Sequence, residues 1–145
     1  MTYVKTVWEN NSTPAINATN LNKIEQGIYD SSFETGSNAN GNYIKYADGT
    51  LICYIRKVVD FSFSSSQKWG SIWESDATSL GTFPYTFYDI PTVSVTNNSG
   101  TGGFMEGFYG TSTTNIGSMY MCRPLDTNTL QSYTLSIIAI GRWKA

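Results

Sequence analysis

Two tryptophans and two carboxylates lie close together in the middle of this 145-residue chain. Trp69, Trp73, Glu74 and Asp76 share a polar segment that also contains Gly70. Aromatic faces cover the C–H surfaces of sugars, and carboxylates accept hydrogen bonds from sugar hydroxyls, so this group predicts a carbohydrate-binding site. The alternative is that one of the two indoles belongs to the hydrophobic core.

Glu74 and Asp76 are also the kind of pair that a glycoside hydrolase needs, because that reaction requires two carboxylates roughly 5 to 9.5 Å apart. Two acids at alternate positions are common on any strand or loop, however. A polysaccharide-cleaving groove also needs a longer chain than this one. We therefore expect a binding protein with no catalytic residues, and not an enzyme.

Further candidate ligand-binding residues lie where aromatic side chains occur beside charged ones. Regular alternation along a strand at 103–109 places Phe104 and Phe108 on one face and Met105 and Tyr109 on the other. Ordinary packing explains such residues as well as binding does. The further candidates are Tyr85, Tyr88, Glu106, Tyr109, Tyr120 and Arg123.

Composition excludes several other chemistries. The chain has no histidine, which removes Ser-His-Asp and Cys-His catalysis and most catalytic zinc sites. Cys53 and Cys122 are too far apart in sequence for a metal or redox motif, and both sit in apolar runs. We expect two buried thiols rather than a disulfide, and no metal or cofactor.

Nine basic residues in a chain of net charge −2 are too few for nucleic-acid binding. Arg56 and Lys57 are the nearest approach to a basic cluster, but adjacent strand residues point to opposite faces, which favours a solvated pair. No stretch approaches the roughly 20 apolar residues of a membrane span, and the N-terminus lacks a signal-peptide core. We expect synthesis in the cytoplasm, no membrane insertion and no nucleic-acid partner.

Most of the chain has the pattern of a mainly β protein. Asp48-Gly49 between two alternating runs predicts a hairpin with a two-residue turn, in which Ile44 faces Cys53. Six or seven antiparallel strands at this spacing predict a β-sandwich or barrel head. The predicted strands are 43–47, 50–59, 80–87, 92–96, 103–109, 116–122 and 132–143.

A short helix is predicted before these strands, over residues 18–32 with Asn17 as its N-cap. Leu21, Ile24 and Ile28 recur at the spacing of a narrow, coiled-coil-like seam. A helix this short is barely stable in isolation, and we therefore expect it to associate with copies of itself. Packing of the helix against its own domain is the alternative.

The polar composition of residues 36–42 predicts a linker after the helix. We therefore divide the chain into two parts. Residues 1–40 are an N-terminal extension for docking or trimerisation, and residues 41–145 are the β-sandwich head.

The last predicted strand is apolar on both faces. Ile138 and Ile140 fall on the face opposite to Leu135 and Ile137, which belong to the core. An outward apolar pair of this kind predicts a partner surface, and burial under the chain's own loops is the alternative. Trp143 is assigned to the core or to a subunit contact.

Three parts of the sequence resemble phage proteins. Trp8 with Thr13–Ile28 resembles a segment that recurs in tail and baseplate proteins of phages and prophages of Gram-positive bacteria. The hairpin Gly41–Tyr54 and the ending Ala139–Lys144 resemble the C-terminal head of phage tail fibres, the gp53-like group. Phe83–Val95 is similar to a pattern shared by those heads and by H-type lectins.

The resemblance implies a homotrimeric fibre tip on the virion tail that binds carbohydrate on the host cell surface, beside other tail and baseplate proteins. It assigns no binding residue, because the middle of the chain matches no motif of the family. The alternative function is a structural baseplate or fibre connector without sugar binding. A bacterial cell-surface lectin is a third interpretation, which the missing signal peptide disfavours.

Overall fold

The computed structural model describes residues 16–99, 102–124 and 130–145, which form one helix and nine strands. The prediction of a mainly β, antiparallel fold with one short helix is confirmed, and the strand count exceeds the predicted six or seven. The elements are α1 (Ala18–Asp30), β1 (Phe33–Asn38), β2 (Gly41–Tyr46), β3 (Thr50–Trp69), β4 (Ile72–Ser75), β5 (Thr78–Ser79), β6 (Thr92–Asn97), β7 (Phe104–Tyr109), β8 (Ser118–Arg123) and β9 (Leu130–Arg142).

Helix α1 begins where the sequence predicts. The side chain of Asn17 accepts a hydrogen bond from the Asn20 N–H at 3.0 Å, which satisfies one of the free donors of the first turn. The helix has no buried residue, and Leu21 and Ile28 are exposed. The part of the chain that the structure describes therefore leaves the apolar stripe of α1 uncovered, and self-association of the helix stays a prediction. The preceding residues, Trp8 among them, lie outside the described ranges.

Strand β1 replaces much of the predicted linker at 36–42. It pairs with β2 from Phe33 opposite Tyr46 to Asn38 opposite Gly41. Apart from the exposed Phe33 its residues are polar or glycine and lack an apolar alternation, so backbone pairing and not burial defines this strand. A Cβ on Gly36 would lie 2.3 Å from the Tyr43 ring, so only glycine allows that ring to cross β1 here.

The predicted register of the β2–β3 hairpin is wrong by one residue. Ile44 lies opposite Ile52, and Tyr43, not Ile44, lies opposite Cys53. The turn contains three residues rather than two, because Ala47 joins Asp48 and Gly49 in the loop. Gly49 adopts a φ of +95° and donates its N–H to the Tyr46 carbonyl at 3.0 Å, which is typical of a turn followed by a glycine bulge.

The Asp48 carboxylate stabilises this turn, and we expect the effect to depend on pH. Its oxygen accepts a hydrogen bond from the Thr50 N–H at 2.8 Å, and this backbone hydrogen bond is the main reason why the pKa of Asp48 is lowered below 3.8. The Thr50 side chain and the charges of Arg142 and Lys144 lower the pKa further. Because this pKa is lower in the folded state, the ionised carboxylate stabilises the fold at pH values above the unfolded-state pKa. That stabilisation is lost as the pH falls through the folded-state pKa. Asp48→Asn is therefore expected to be less stable than wild type at pH 7.

Urea unfolding of both proteins between pH 2 and pH 7 measures this effect. The stability difference between wild type and Asp48→Asn should shrink as the pH falls below about 3.8. Asp89→Asn, a change at another exposed loop carboxylate, serves as the matched control. A difference between wild type and Asp48→Asn that is independent of pH would show that the carboxylate charge does not stabilise the turn.

Strand β3 joins the two halves of one open antiparallel sheet. Its N-terminal part lies between β2 and β9, and β6 follows on the far side of β9. Its C-terminal part pairs with β4, which pairs with β8, and β8 also pairs with β5 and β7. A sandwich of two separate sheets stays a prediction, since the described strands are continuous through β3.

One hydrophobic cluster contains side chains from both halves of the sheet. From the first half come residues such as Leu51, Phe61 and Leu135, and from the second come residues such as Trp73 and Met121. Because β3 contributes to both halves, its inward side chains run through the whole cluster. The face of each half that points away from this cluster is the one available to ligands or partners.

The strand predicted at 80–87 is wrong. This segment is a loop that carries an isolated bridge between Thr82 and Asn115, although Leu80, Phe83 and Phe87 are buried. Gly81 has a φ of +82°, which a regular strand does not allow. The apolar residues of the segment therefore fill the core without forming a ladder.

The two cysteines are buried thiols, as predicted, and no disulfide joins them. Burial raises the pKa of the Cys53 thiol to about 11, so that thiol stays protonated at neutral pH. A protonated, buried thiol is a poor nucleophile and a poor metal ligand. Cys53 therefore acts as a small core residue.

No helix in the described part of the chain has the length and apolarity to cross a membrane.

Candidate functional site

Two tyrosines stack on the outward face of β7 and β8. Tyr120 points outward because it alternates with the buried residues Met119 and Met121. The rings of Tyr109 and Tyr120 lie 5.7 Å apart between centroids, with their planes at 27°. A Cβ on Gly107 would be 3.1 Å from Cδ2 of Tyr120, so the glycine lets the Tyr120 ring lie close over strand β7.

A register shift in β7 creates this pair. Met105 lies opposite Met121 and Phe108 lies opposite Met119, so the strand gains one residue between them. The regular alternation predicted for 103–109 is therefore wrong, and Tyr109 turns to the outward face. Without the shift, Tyr109 would share the face of Met105. The side chain of Glu106, another candidate, lies outside the described part of the structure.

Glu74 adds a carboxylate to the same face. It lies on β4 opposite Cys122, diagonal to Tyr120, and is half-buried. The pKa of Tyr120 is raised above 10, mainly by a hydrogen bond with the Tyr109 side chain. The charge of Tyr109, burial and the charge of Glu74 raise it further. The Tyr120 phenol therefore carries its proton at physiological pH. We call Glu74, Gly107, Tyr109 and Tyr120 the tyrosine face.

The predicted sugar-binding group of Trp69, Trp73, Glu74 and Asp76 does not form one surface, because a hairpin separates its members. Residues 69–72 form a tight turn between β3 and β4, with Gly70 at a φ of +62°. Alternation along β4 then turns Trp73 inward, where it is 5% exposed in the core, and Glu74 outward. Trp69 is 61% exposed at the end of β3, and Asp76 is exposed just after β4.

Arg123 lies in the interior and not beside Tyr120. It is 2% exposed, and its guanidinium carbon is 4.2 Å from the centre of the Phe63 ring. Alternation along β8 places Arg123 on the inward side with Met119 and Met121, where it lies opposite the buried Trp73. The two candidates Tyr120 and Arg123 therefore do not share a surface.

Tyr85 and Trp143 enclose a lysine of the same chain. The ammonium of Lys45 is 4.6 Å from the centre of each ring and 2.9 Å from the Glu34 carboxylate. The hydrogen bond that Lys45 donates to the Glu34 carboxylate raises the pKa of Lys45 above 10.5. Tyr43 packs on Tyr85 from another side, with ring centroids 5.0 Å apart. These aromatic faces already have a cationic partner.

Trp143 also ties the chain end to the first hairpin. Its indole N–H donates to the Tyr46 carbonyl at 2.9 Å, and its backbone N–H donates to the Gly49 carbonyl at 3.0 Å. It is half-buried against the core, which agrees with its assignment to the core or a contact. Tyr88 is exposed, and its backbone N–H donates to the Arg142 carbonyl at 2.6 Å.

Ile138 and Ile140 point outward, as predicted, and are 48% and 49% exposed. The described loops therefore do not bury them. On the neighbouring strand β3, Ile52 lies opposite Ile140 and Tyr54 lies opposite Ile138. On β2, at the other side of β3, Ile44 lies opposite Ile52. We call these five residues the apolar face.

Sequence reasoning missed a cleft beside Lys57. The inward positions of β3 are the buried residues Leu51, Cys53, Ile55, Val59 and Phe61, with Lys57 among them. Arg56 and Lys57 do point to opposite faces, but Lys57 is half-buried and donates to the Leu80 carbonyl at 3.0 Å. One lysine in an otherwise apolar inward row is the signal that could have revealed the cleft.

This chain is similar to two solved fibre structures at low sequence identity. No family model and no curated protein matches it. One similar solved structure is the N-truncated R1-type pyocin tail fiber, at 17% identity and a TM-score of 0.48, covering 88% of this chain and 98% of that one. Another is a C-terminal fragment of the P. aeruginosa R1 pyocin fiber, at 15% identity and a TM-score of 0.47, covering 95% of this chain and 35% of that one.

Proposed function

We propose that this chain is the receptor-binding tip of a phage or prophage tail fibre, which attaches as a trimer to carbohydrate on the host cell surface. The tail context is supported by the sequence resemblance of Thr13–Ile28, Gly41–Tyr54 and Ala139–Lys144 to tail proteins. The site of attachment is the tyrosine face. In this context the chain acts outside the cell, on the virion tail.

The stacked pair of Tyr109 and Tyr120 is the observation that carries the proposal. Tyrosine rings give a large apolar surface for the C–H groups of a sugar, and they lose little conformational entropy when they bind. The Glu74 carboxylate and the two phenol groups supply acceptors and donors for sugar hydroxyls. Because Gly107 and the stacking hold Tyr120 in place, the surface is formed before the ligand arrives.

We propose binding without hydrolysis. Among the described side chains, Glu74 is the carboxylate of the tyrosine face, and Asp76 lies beyond the end of β4. Incubation of the protein with host-wall polysaccharide, followed by a reducing-end assay, tests this point. Sugar release that disappears in a Glu74→Gln, Asp76→Asn double variant would show that the protein is an enzyme.

Trimerisation would strengthen binding without new contacts to the ligand. Three weak sites on one rigid assembly gain apparent affinity because the second and third contacts form at high effective concentration. The apolar face, and the uncovered stripe of Leu21, Ile24 and Ile28 on α1, are the surfaces that we assign to subunit contacts. Trp143 packs mainly within its own chain, so its share in a contact is limited to its exposed edge.

Tyr120→Ala tests the tyrosine face. The loss of one stacking surface is expected to weaken each sugar contact by about 1.5 kcal/mol, or roughly tenfold. The measurement is adsorption of the purified protein to host cells, with and without competing monosaccharide. Circular dichroism melting of the variant shows whether the fold is kept.

Tyr88→Ala is the matched control, because it removes an exposed tyrosine ring that lies outside β7 and β8. It should adsorb like wild type. Equal losses in Tyr88→Ala and Tyr120→Ala, or none in either, would contradict binding at the tyrosine face.

A structural connector is the second candidate function, and the apolar face is the observation that favours it. An outward row of isoleucines suits contact with a protein better than contact with a sugar. A connector would show no adsorption to host cells at any protein concentration.

A further inference from the structure

A cleft of about 280 Å³ opens beside the middle of β3. The pairing of β3 with β2 ends at Tyr54 and its pairing with β4 begins at Phe63, so this edge of β3 has no partner strand among the described residues. The β1–β2 turn forms one wall, and the segment Leu80–Thr82 forms the other. The volume is near the lower end of the roughly 300–1,000 Å³ of small-molecule sites, so the cleft suits one sugar-sized unit.

Hydrogen bonds hold the first wall in place. The Asn38 side chain donates to the Pro84 carbonyl at 2.8 Å and accepts the Asn40 N–H at 2.9 Å. Gly41 has a φ of +134°, and a Cβ there would lie 2.7 Å from Cγ1 of Ile55. The turn is therefore packed tightly on β3, and the cleft exists before any ligand binds.

The ammonium of Lys57 lies on the second wall. It donates one hydrogen bond to the Leu80 carbonyl at 3.0 Å, which leaves two N–H donors for another acceptor. Gly81 borders the space beside this group, and a Cβ there would lie at an ordinary contact distance of 3.4 Å from the Lys57 nitrogen.

The lining of the cleft is positive. Lys57 supplies this charge, since the exposed Arg56 lies at the edge of the cleft and points to the other face of β3, and the lining contains no acidic residue although the chain as a whole has a net charge of −2. Lys45 with Glu34 is the ion pair found in the described residues, so Lys57 has no described carboxylate within 4.0 Å. A half-buried cation without a counter-ion gains most from an anionic hydrogen-bond acceptor.

We propose that this cleft binds an anionic polyol unit, meaning a hydroxylated group that carries one carboxylate or phosphate. Lys57 contacts the anion, while the exposed Asn40 amide and Thr82 hydroxyl at the rim contact the hydroxyls. The site is separate from the tyrosine face, and its ligand differs in charge from a neutral sugar. It stands whether or not the tyrosine face binds carbohydrate.

NMR titration of the ¹⁵N-labelled full chain tests the proposal, with glycerol 1-phosphate and D-glucuronate as separate probes. We expect saturable shifts of the Gly41, Gly81 and Thr82 amide signals with at least one of the two anions. The neutral polyols glycerol and glucose should give no saturable shift at the same concentrations. The anion that binds more tightly identifies the ligand as phosphate-bearing or carboxylate-bearing.

Three variants make the test specific. Lys57→Gln should weaken anion binding by about tenfold or more, because a charge-assisted hydrogen bond is lost, whereas Lys57→Arg should retain it. Lys23→Gln, at an exposed lysine of α1, removes the same charge elsewhere and should bind like wild type. Tyr120→Ala should also bind like wild type, which separates this result from the tyrosine face. Equal binding by wild type and Lys57→Gln, or by neutral polyols, would overturn the proposal.

Discussion

Replacing Leu135 with alanine is expected to lower the free energy of unfolding by about 2–5 kcal/mol, because it leaves a cavity that the neighbouring strands cannot fill. Leu135 is 0% exposed on β9, in the cluster that joins both halves of the sheet. It lies opposite Lys57 on β3 and opposite Asn97 on β6. Its side chain therefore sits where three strands meet, and few side chains can move into the gap.

Urea unfolding measured by tryptophan fluorescence or circular dichroism gives the size of the loss. Leu130→Ala is the matched control, since Leu130 is on the same strand but is 63% exposed. This control should change the free energy of unfolding by less than about 0.5 kcal/mol. If the two variants lose equal stability, the described inward and outward faces of β9 are not those of the protein in solution.

Replacing Ile138 with lysine is expected to dissociate the proposed trimer. A charged side chain in the centre of an apolar contact must lose its water without gaining a partner. We expect the dissociation constant of the assembly to rise about a thousandfold, equivalent to about 4 kcal/mol. Sedimentation or light scattering at micromolar concentration should show trimers for wild type and monomers for Ile138→Lys.

Leu130→Lys is the control for this experiment. Leu130 shares the strand and the outward face of Ile138, but it lies eight positions away, at about 26 Å along a strand. It should leave the trimer intact. A wild-type protein that is monomeric at micromolar concentration would show that the apolar face is not a subunit contact, and the gain in affinity from three linked sites would be lost with it.

Local patterns in the sequence were enough for some elements. The cap at Asn17 and the two faces of β9 follow from neighbouring residues alone, because capping and alternation are local properties of the backbone. The outward direction of Ile138 and Ile140 is confirmed for this reason. Burial of both cysteines follows in the same way from the apolar runs around them.

Register shifts of one residue could not be predicted from the sequence. The extra loop residue at Ala47 and the extra residue in β7 before Phe108 each reverse which side chains face inward. The three-residue turn is contacted by the end of the chain, where the Arg142 side chain donates to the Asp48 carbonyl at 3.1 Å, and that contact is far away in sequence. The tyrosine face exists because of one such shift, which moves Tyr109 beside Tyr120.

The candidate site was predicted only in part. The sequence marked Glu74, Tyr109 and Tyr120 by residue type, without showing that they meet. It also marked Trp73 and Arg123, which the structure places in the interior. Aromatic and charged residues have the same appearance in a sequence whether they bind a ligand or fill a core, since burial depends on which strands pair.

The amino-acid sequence alone indicates a mainly β chain of low charge, without histidine chemistry, with one short helix and an outward apolar pair on its last strand. These properties follow from composition and local alternation. The tertiary structure alone decided which polar and aromatic residues share a face, and where β3 lacks a partner strand. Both depend on the register between distant strands, for which the deciding interaction is the packing of the whole sheet and not any single segment.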